Sequence, residues 1–298
     1  MDIDIVSGSS VPRLAQCIAK NMGMKAHFPF IEKFPDGEIH VIEGDFKPKE
    51  TVVYVQTMHP RPNDMLVETL LTVDLLKELG TRRVIAVIPY LGYTRQDTRH
   101  VEGEAIGIRS VLKTLESCGV NDIVSVDLHL HRLSMDDLLG FSKVKLHEVS
   151  AIDLLASEAG KRLLKPVVIG PDSESERWAK RAADILETDY DVMEKHRLSA
   201  KEIEIKPKRL NVKNRDVLII DDIVSTGGTM MEVIGSLRSQ GANKITAAFT
   251  HAVLSDIDTL TGLFRAGVNE LISTNSINNE FGTLDLSYEL SRKLKEIL

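Results

Sequence analysis

Val217-Leu218-Ile219-Ile220-Asp221-Asp222-Ile223-Val224-Ser225-Thr226-Gly227-Gly228-Thr229 sets an apolar run, two adjacent carboxylates and a glycine-rich turn in immediate succession. Residues 216–220 read as a buried strand, and a helical pattern opens at Thr229 and runs to Ser239, with Gly241 beyond it. Glycines at such a junction let the backbone approach a ligand, and the free amides at a helix start point at an anion. Thr226 and Thr229 add hydroxyl donors. Paired carboxylates are poorly matched to a phosphate but suit a sugar diol, whose hydroxyls donate to them. Phosphate and diol together describe a ribose phosphate. An ordinary strand-to-helix turn with a capping Thr and solvated Asp side chains is the plainer alternative, and the conjunction of strand, acids and glycines weighs against it. No Lys follows the glycines, so this is not a Walker A loop.

The same plan recurs upstream. Residues 51–56 read as a buried strand, residues 64–79 as a helix with Leu66, Leu70, Val73 and Leu76 on its apolar face, and residues 83–88 as a second strand closed by Pro89. A helix over about 105–118 and a strand at 123–126 follow. This alternation predicts parallel sheets covered by helices. Laid beside 216–249, the segment 51–90 repeats strand, loop, helix, Gly and strand, which indicates two related α/β domains joined near 145–150. We expect an N-terminal domain at 1–146, a C-terminal domain at 147–276, and a segment 277–298 that packs back on the N-terminal domain. Its last helix carries Leu286, Leu290 and Leu294 on one face and has to bury them. Where the second half has its glycine turn, the first has Thr57-Met58-His59-Pro60-Arg61-Pro62, which is unsuited to phosphate.

Composition narrows the classes. The 298 residues suffice for two ordinary domains, and 43% hydrophobic with 27% charged residues excludes a wholly disordered chain. No apolar stretch reaches the ~20 residues of a membrane span, and Met1 to Ile5 lacks a basic, signal-like start, so the expected location is the cytoplasm with no membrane partner. A net charge of -7 argues against nucleic acid as a partner. It also requires that any phosphate site be built from local amides, Arg, Lys or a metal. Cys17 and Cys118 sit in helical patterns, which disfavours a disulfide framework or a cysteine zinc site.

Four further motifs carry chemistry: Phe34-Pro35-Asp36-Gly37-Glu38; Pro89-Tyr90-Leu91-Gly92-Tyr93-Thr94-Arg95-Gln96-Asp97; Asp127-Leu128-His129; and Thr250-His251-Ala252-Val253-Leu254-Ser255. Arg95 follows a strand and so lies at the carboxyl edge of a sheet, where open α/β sheets bind ligands. Its guanidinium fork suits phosphate oxygens; a solvated charged loop is the alternative. Phe34 before Pro-Asp-Gly reads by itself as core beside a β-turn. His129 and His131 form a His-x-His pair, but no further nitrogen or sulfur ligands for zinc are evident. Asp172 lies in Val167-Val168-Ile169-Gly170-Pro171-Asp172, which reads as a strand running into a loop, and Ser173-Glu174-Ser175-Glu176 after it reads as a capped helix start. Lys195-His196-Arg197 follows an expected strand at 189–194 and by itself reads as surface.

The Asp221–Thr229 stretch resembles the phosphoribosyl diphosphate signature shared by phosphoribosyltransferases and ribose-phosphate pyrophosphokinases, and the other four motifs resemble the pyrophosphokinases alone. The similarity runs in consistent order from about Ile3 to Ile277. It implies two tandem phosphoribosyltransferase-like domains, each a mainly parallel sheet flanked by helices. It also implies an enzyme that transfers the β,γ-diphosphoryl group of ATP to the 1-hydroxyl of ribose 5-phosphate. Residue by residue it places ATP at Phe34, Asp36, Gly37, Glu38, Arg95 and Gln96, with Arg99 as a helper. It places ribose 5-phosphate at Asp221, Asp222, Ser225, Thr226, Gly227, Gly228 and Thr229, and Mg2+ at His129 and Asp172. Lys195 and Arg197 become catalytic residues on a mobile loop. The hairpin carrying Phe34 would complete a neighbouring subunit's ATP site, which implies a homo-oligomer, a dimer or a multiple of dimers. Relatives often have glycines after the residue at Asp172, where this chain has Ser173-Glu174. A phosphoribosyltransferase and an inactive regulatory homologue are the rival expectations; the first leaves Phe34–Glu38 and Arg95–Asp97 without a purpose, the second the retained site residues.

Overall fold

Short runs rich in Val and Ile alternate with amphipathic stretches, and each run becomes a strand because its β-branched side chains are buried on both faces. The computed structural model describes residues 2–99, 101–130, 133–197, 203–207, 210–254, 257–279 and 283–298, with backbone alone at 195–197, 203–206 and 283. His131 and Ser255 lie outside the described residues. The chain divides into two units, Met1–Val149 with Ser276–Asn278 and Asp285–Leu298, and Ser150–Asn275 with Asn279–Leu284.

The first unit runs β1 (Ile3–Ser7), α1 (Pro12–Asn21), β2 (Ala26–His27), β3 (Phe30–Lys33), β4 (Ile39–Ile42), β5 (Thr51–Val55), α2 (Pro62–Glu78), β6 (Arg83–Val87), α3 (Gly107–Cys118), β7 (Val120–Val126), α4 (Met135–Leu139) and β8 (Lys145–Val149). Its sheet has the order β2-β1-β5-β6-β7-β8, all parallel, while β3 and β4 form a separate antiparallel hairpin. Residues 145–149, expected near the joint between domains, are thus an edge strand of this sheet.

The second unit runs α5 (Ile152–Gly160), β9 (Val167–Gly170), α6 (Glu176–Leu186), β10 (Tyr190–Arg197), β11 (Ile203–Pro207), β12 (Val217–Val224), α7 (Gly228–Ser239), β13 (Ile245–Ala252), α8 (Ile257–Ala266), β14 (Glu270–Thr274) and β15 (Thr283–Leu284). Its sheet order is β11-β10-β9-β12-β13-β14-β15, parallel except for the β10–β11 ribbon. The order β2-β1-β5-β6-β7 of the first sheet reappears as β10-β9-β12-β13-β14 in the second. The repeat seen between 51–90 and 216–249 is therefore a repeat of topology.

The last helix, α9 (Ser287–Ile297), belongs to the first unit, where it packs on α1 and leaves Leu286, Leu290 and Leu294 wholly buried. Its far end is held by Asp122, a buried carboxylate on β7. Asp122 Oδ2 accepts from Arg83 Nε at 2.9 Å and Oδ1 lies 3.0 Å from His147 Nε2, while Arg83 Nη2 reaches Ile297 O at 3.1 Å. One carboxylate thus ties β6, β7, β8 and α9 together. We expect Asp122→Ala to destabilise the protein by about 2–3 kcal/mol, because it strands a partly buried guanidinium. A lowered urea midpoint at unchanged slope is the expected reading.

One sequence expectation needs correction. The buried face of α2 is Met65, Glu68, Thr69, Thr72, Val73 and Leu76, whereas Leu66 and Leu70 are only half-buried. The helix is rotated from its most apolar stripe because Glu68, Thr69 and Thr72 find hydrogen-bond partners inside, including Thr69 Oγ1 to Met65 O at 2.7 Å. Among the described residues no helix is long and apolar enough to cross a membrane.

Candidate functional site

In both sheets the strand order reverses once, between β1 and β5 and between β9 and β12, and α/β sheets bind ligands outside the carboxyl ends of the strands at such a point. The C-terminal crevice is bounded by Asp172, which follows β9, and by the end of β12. That strand does not stop at Ile220 as expected. It continues to Val224, with Asp221 paired to Phe249 and Val224 to Ala252 of β13, so both acids sit inside the parallel ladder. Successive strand residues point to opposite faces. Asp222 is accordingly buried and Asp221 half-open, and the Asp222 amide donates to Asp221 Oδ1 at 3.0 Å.

Burial first, then the charge of Asp222 and then that of Asp172, push the Asp221 carboxyl well above the usual carboxylate range. Asp172 and Asp221 are therefore electrostatic neighbours. A carboxyl whose folded pKa is raised contributes stability below its unfolded pKa and loses it as pH rises through the folded value. Asp221→Asn should then stabilise the ligand-free protein at pH 8 and lose that advantage as the pH falls toward the ordinary carboxylate range. Urea melts at pH 8 and pH 5 in chelator test this; equal midpoint shifts at both would remove the electrostatic explanation.

Beyond Val224, Ser225 and Thr226 form a bend, and Gly227 is the N-cap of α7 with φ of 72°. The helix begins at Gly228, one residue before the expected Thr229. Its first internal bond is Met231 N to Gly227 O at 2.8 Å, so the amides of Gly228, Thr229 and Met230 have no acceptor within the helix. Thr226, Gly228 and Thr229 are exposed and Ser225 is half-buried. A Cβ on Gly227 would lie 2.8 Å from Thr259 Cγ2 of α8, while one on Gly228 would meet nothing closer than Thr226 Oγ1 at 3.9 Å. Gly227 is required by the fold, and Gly228 leaves bare backbone facing open space. This is an anion cradle at the start of a 12-residue helix.

Asp172 replaces the helix cap expected of the residues after it. Its Oδ1 accepts from the amides of Glu174 and Ser175 at 3.0 and 3.1 Å, and Ser175 Oγ turns back to Asp172 O at 2.7 Å. Ser175, the N-cap position of α6, makes no side-chain cap bond. The Ser-Glu sequence is thus accommodated in a turn closed by Asp172. These amides engage one carboxylate oxygen and leave Oδ2 for other partners.

The matching crevice of the N-terminal unit is filled by its own side chains. Buried Glu68 accepts from Ser9 N at 2.8 Å, Ser9 Oγ at 2.5 Å and Gln56 Nε2 at 2.6 Å, while Ser10 N reaches Gln56 Oε1 at 3.0 Å. Thr57 N donates to Ser10 Oγ at 2.8 Å. Even a methyl group on Gly8 would sit 2.5 Å from Gln56 Oε1 and 2.7 Å from Tyr54 Oη. Sequence reasoning missed this network; its one signal was Glu68, Thr69 and Thr72 on a buried helix face.

The residues assigned to ATP lie elsewhere in the same unit. Arg95 and Gln96 are exposed on a single 3₁₀ turn (Thr94–Gln96), set by Tyr93 in the left-handed region at φ 68°. Gln96 lies against the start of α3, where a Cβ on Gly107 would be 2.6 Å from its Oε1. Asp97 is buried and anchors Leu133 N at 3.1 Å, and Arg99 Nε donates to Glu104 O at 2.9 Å. Phe34, Asp36, Gly37 and Glu38 form the exposed tip of the β3–β4 hairpin. Phe34 is 44% exposed and stacks on His40 at 5.0 Å, which corrects its reading as core. His129 is half-buried just after β7, beyond Asp127 at φ 35°.

Lys195 and Arg197 also depart from expectation. The structure carries β10 through both and pairs them with Ile205 and Ile203 of β11, where a loop was expected. Their side chains, and residues 198–202, lie outside what is described. Among the described residues no group of three or more His, Cys, Asp or Glu side chains is arranged to hold a metal ion.

Comparison with known proteins agrees with this geometry. Residues 3–119 match the N-terminal domain of ribose phosphate pyrophosphokinase, and residues 149–284 match the phosphoribosyl transferase domain. The chain is 36% identical to a ribose-phosphate pyrophosphokinase of Methanopyrus kandleri, covering 89% of both proteins. It is 34% identical to that of Methanothermobacter thermautotrophicus, covering 98% of this chain and all of the relative. Among solved structures, phosphoribosylpyrophosphate synthetase from Mycobacterium smegmatis superposes with a TM-score of 0.86 at 28% identity, over 100% of this chain and 99% of that one. With both domains matched in order, and relatives above 30% identity matched along nearly their whole length, the chain belongs to the ribose-phosphate pyrophosphokinase family.

Proposed function

We propose that this protein transfers the β,γ-diphosphoryl group of ATP to the 1-hydroxyl of ribose 5-phosphate, giving 5-phosphoribosyl 1-diphosphate and AMP, as a transferase of nucleotide biosynthesis. The observation that carries this is the asymmetry of the two crevices within a duplicated fold. The second keeps an open cradle with carboxylates beside it; the first is filled, and its unit displays Arg95, Gln96 and the Phe34 hairpin instead.

The 5-phosphate sits on the amides and hydroxyls of Ser225 to Thr229, and the ribose diol donates to Asp221, the more open acid, with Asp222 behind it. Arg95 and Gln96 hold ATP phosphate oxygens, and Phe34 with Asp36, Gly37 and Glu38 receives the base. The ribose O1 attacks the β-phosphorus in line, the bond from that phosphorus to the AMP oxygen breaks, and AMP leaves. Positioning and charge stabilisation supply most of the acceleration, because such transfer needs little covalent chemistry from protein. Lys195 and Arg197 stabilise charge on the transferred group and the departing AMP.

The carboxylates of the C-terminal crevice suit Mg2+, whereas the imidazole of His129 is an unusual donor for it. The ion prefers oxygen ligands and keeps several waters, so it needs few protein groups, and the crowding that raises the Asp221 carboxyl is what a divalent cation relieves. Asp172 and His129 would hold it, and when bound it would neutralise phosphate charge. Apolar side chains exposed on the hairpin, Phe30 at 58% and Ile42 at 41%, support assembly with further copies of the chain. A cytoplasmic site of action fits these soluble substrates.

The test is AMP and phosphoribosyl diphosphate formation from ATP, ribose 5-phosphate and Mg2+ with no base present, followed by 31P NMR. Turnover of phosphoribosyl diphosphate only when a base is added would instead identify a phosphoribosyltransferase. No turnover with phosphate supplied would identify a regulatory homologue.

A further inference from the structure

Away from either crevice, the N-terminal unit has a cavity of 820 Å3 between the outer face of α1 and the chain that leads into and past β2. Arg13, Cys17 and Lys20 line it from one stripe of the helix, at spacings of four and three residues, and Met24, Lys25 and Phe28 line it from the following segment. Its volume falls within the range of small-molecule sites. The wall holds three cations and no carboxylate. In a chain of net charge -7 that is a local inversion of sign. Among the described residues, Arg13, Lys20 and Lys25 make no ion pair or side-chain hydrogen bond, whereas Arg162 is paired with Glu158 and Glu270.

Three unneutralised cations around one concavity repel one another, and a multiply charged anion removes that repulsion while accepting their donors. Half-buried Met24 and the 49% exposed ring of Phe28 add an apolar surface beside the charges. Solvated lysines on a convex face would need no ligand; here the helix stripe and the returning chain bring the charges around one concavity that is open to solvent on one side.

We propose that this cavity is a binding site for an organic polyanion, a molecule with several phosphate- or sulfonate-type charges and a flat apolar body. The charges engage Arg13, Lys20 and Lys25, and the body lies against Phe28 and Met24. The site is independent of the diphosphoryl-transfer reading and lies outside the machinery assigned to it.

The experiment uses the full chain and a fluorescent probe of this class, 8-aminopyrene-1,3,6-trisulfonate, titrated by anisotropy at low salt, with inorganic tripolyphosphate as competitor. The triple variant R13Q/K20Q/K25Q is compared with wild type after equal melting temperatures are confirmed. Cys17 supplies a second reading on the wild-type protein, because a bound probe covers it. Its alkylation by iodoacetamide is followed by peptide mass, with Cys118, whose Sγ contacts Leu70 O at 3.0 Å, as internal reference. Expected are saturable binding weakened about tenfold or more in the triple variant, loss of affinity with added salt, and Cys17 protection that follows occupancy while Cys118 is unaffected. Diphosphoryl transfer should be unchanged in the variant. Equal probe affinity in wild type and variant, or binding that leaves Cys17 unprotected, overturns the assignment.

Discussion

Lys195→Ala should lower kcat for AMP formation by about a hundred- to a thousandfold, the usual cost of removing one preorganised group that meets developing charge. The expectation rests on where charge goes. In-line transfer from ATP spreads negative charge over the moving diphosphoryl group and onto AMP, and a cation there acts more strongly on the transition state than on bound substrate. The KM for ribose 5-phosphate should change little, because in the proposed assignment that substrate rests on the amides at the start of α7 and not on Lys195. A variant that raised KM at constant kcat would make Lys195 a binding residue only. Lys195→Arg should recover only part of the rate, since a planar guanidinium does not reproduce an ammonium's point charge.

Gly227→Val should damage the cradle itself. A β-branched residue at φ of 72° costs about 1–2 kcal/mol. The 2.8 Å approach of its Cβ to Thr259 Cγ2 adds overpacking of about 1–3 kcal/mol. Together these lower the population of the competent loop by roughly thirtyfold or more. The expected result is a KM for ribose 5-phosphate raised by that factor, with a lower melting temperature. Gly228→Ala is the control: its Cβ meets nothing closer than 3.9 Å, so the fold should stand and only ligand approach should suffer. Equal melting temperatures for wild type and Gly227→Val would remove the packing explanation.

Legibility along the chain followed the range of the interactions involved. β12, α7 and their junction were readable within a residue or a few, because strand burial, glycine and helix start are all local signals. The face of α9 was readable because three leucines repeat at helical spacing, and all three are buried. The face of α2 was not, because Glu68, Thr69 and Thr72 are buried by bonds to Ser9, Gln56 and the helix's own carbonyls, and periodicity counts apolar residues only. The extension of β10 through Arg197 was hidden for a related reason. A charged run such as Lys195-His196-Arg197 reads as loop until a partner strand supplies its hydrogen bonds.

For the glycine turn after two acids, the sequence by itself determined the local structure, a strand carrying adjacent carboxylates and a helix start beyond them, since these features act through covalent neighbours. Motif order along the chain likewise determined the family. Only the tertiary structure decided that Asp221 is the open acid and Asp222 the buried one, because the strand runs on past Ile220 and alternates their faces. Only it decided that the first crevice is closed, through contacts between Ser9, Gln56 and Glu68 that lie up to 59 residues apart. Side chains distant in sequence meet only when the sheet order brings β1 beside β5, and no local pattern encodes that meeting.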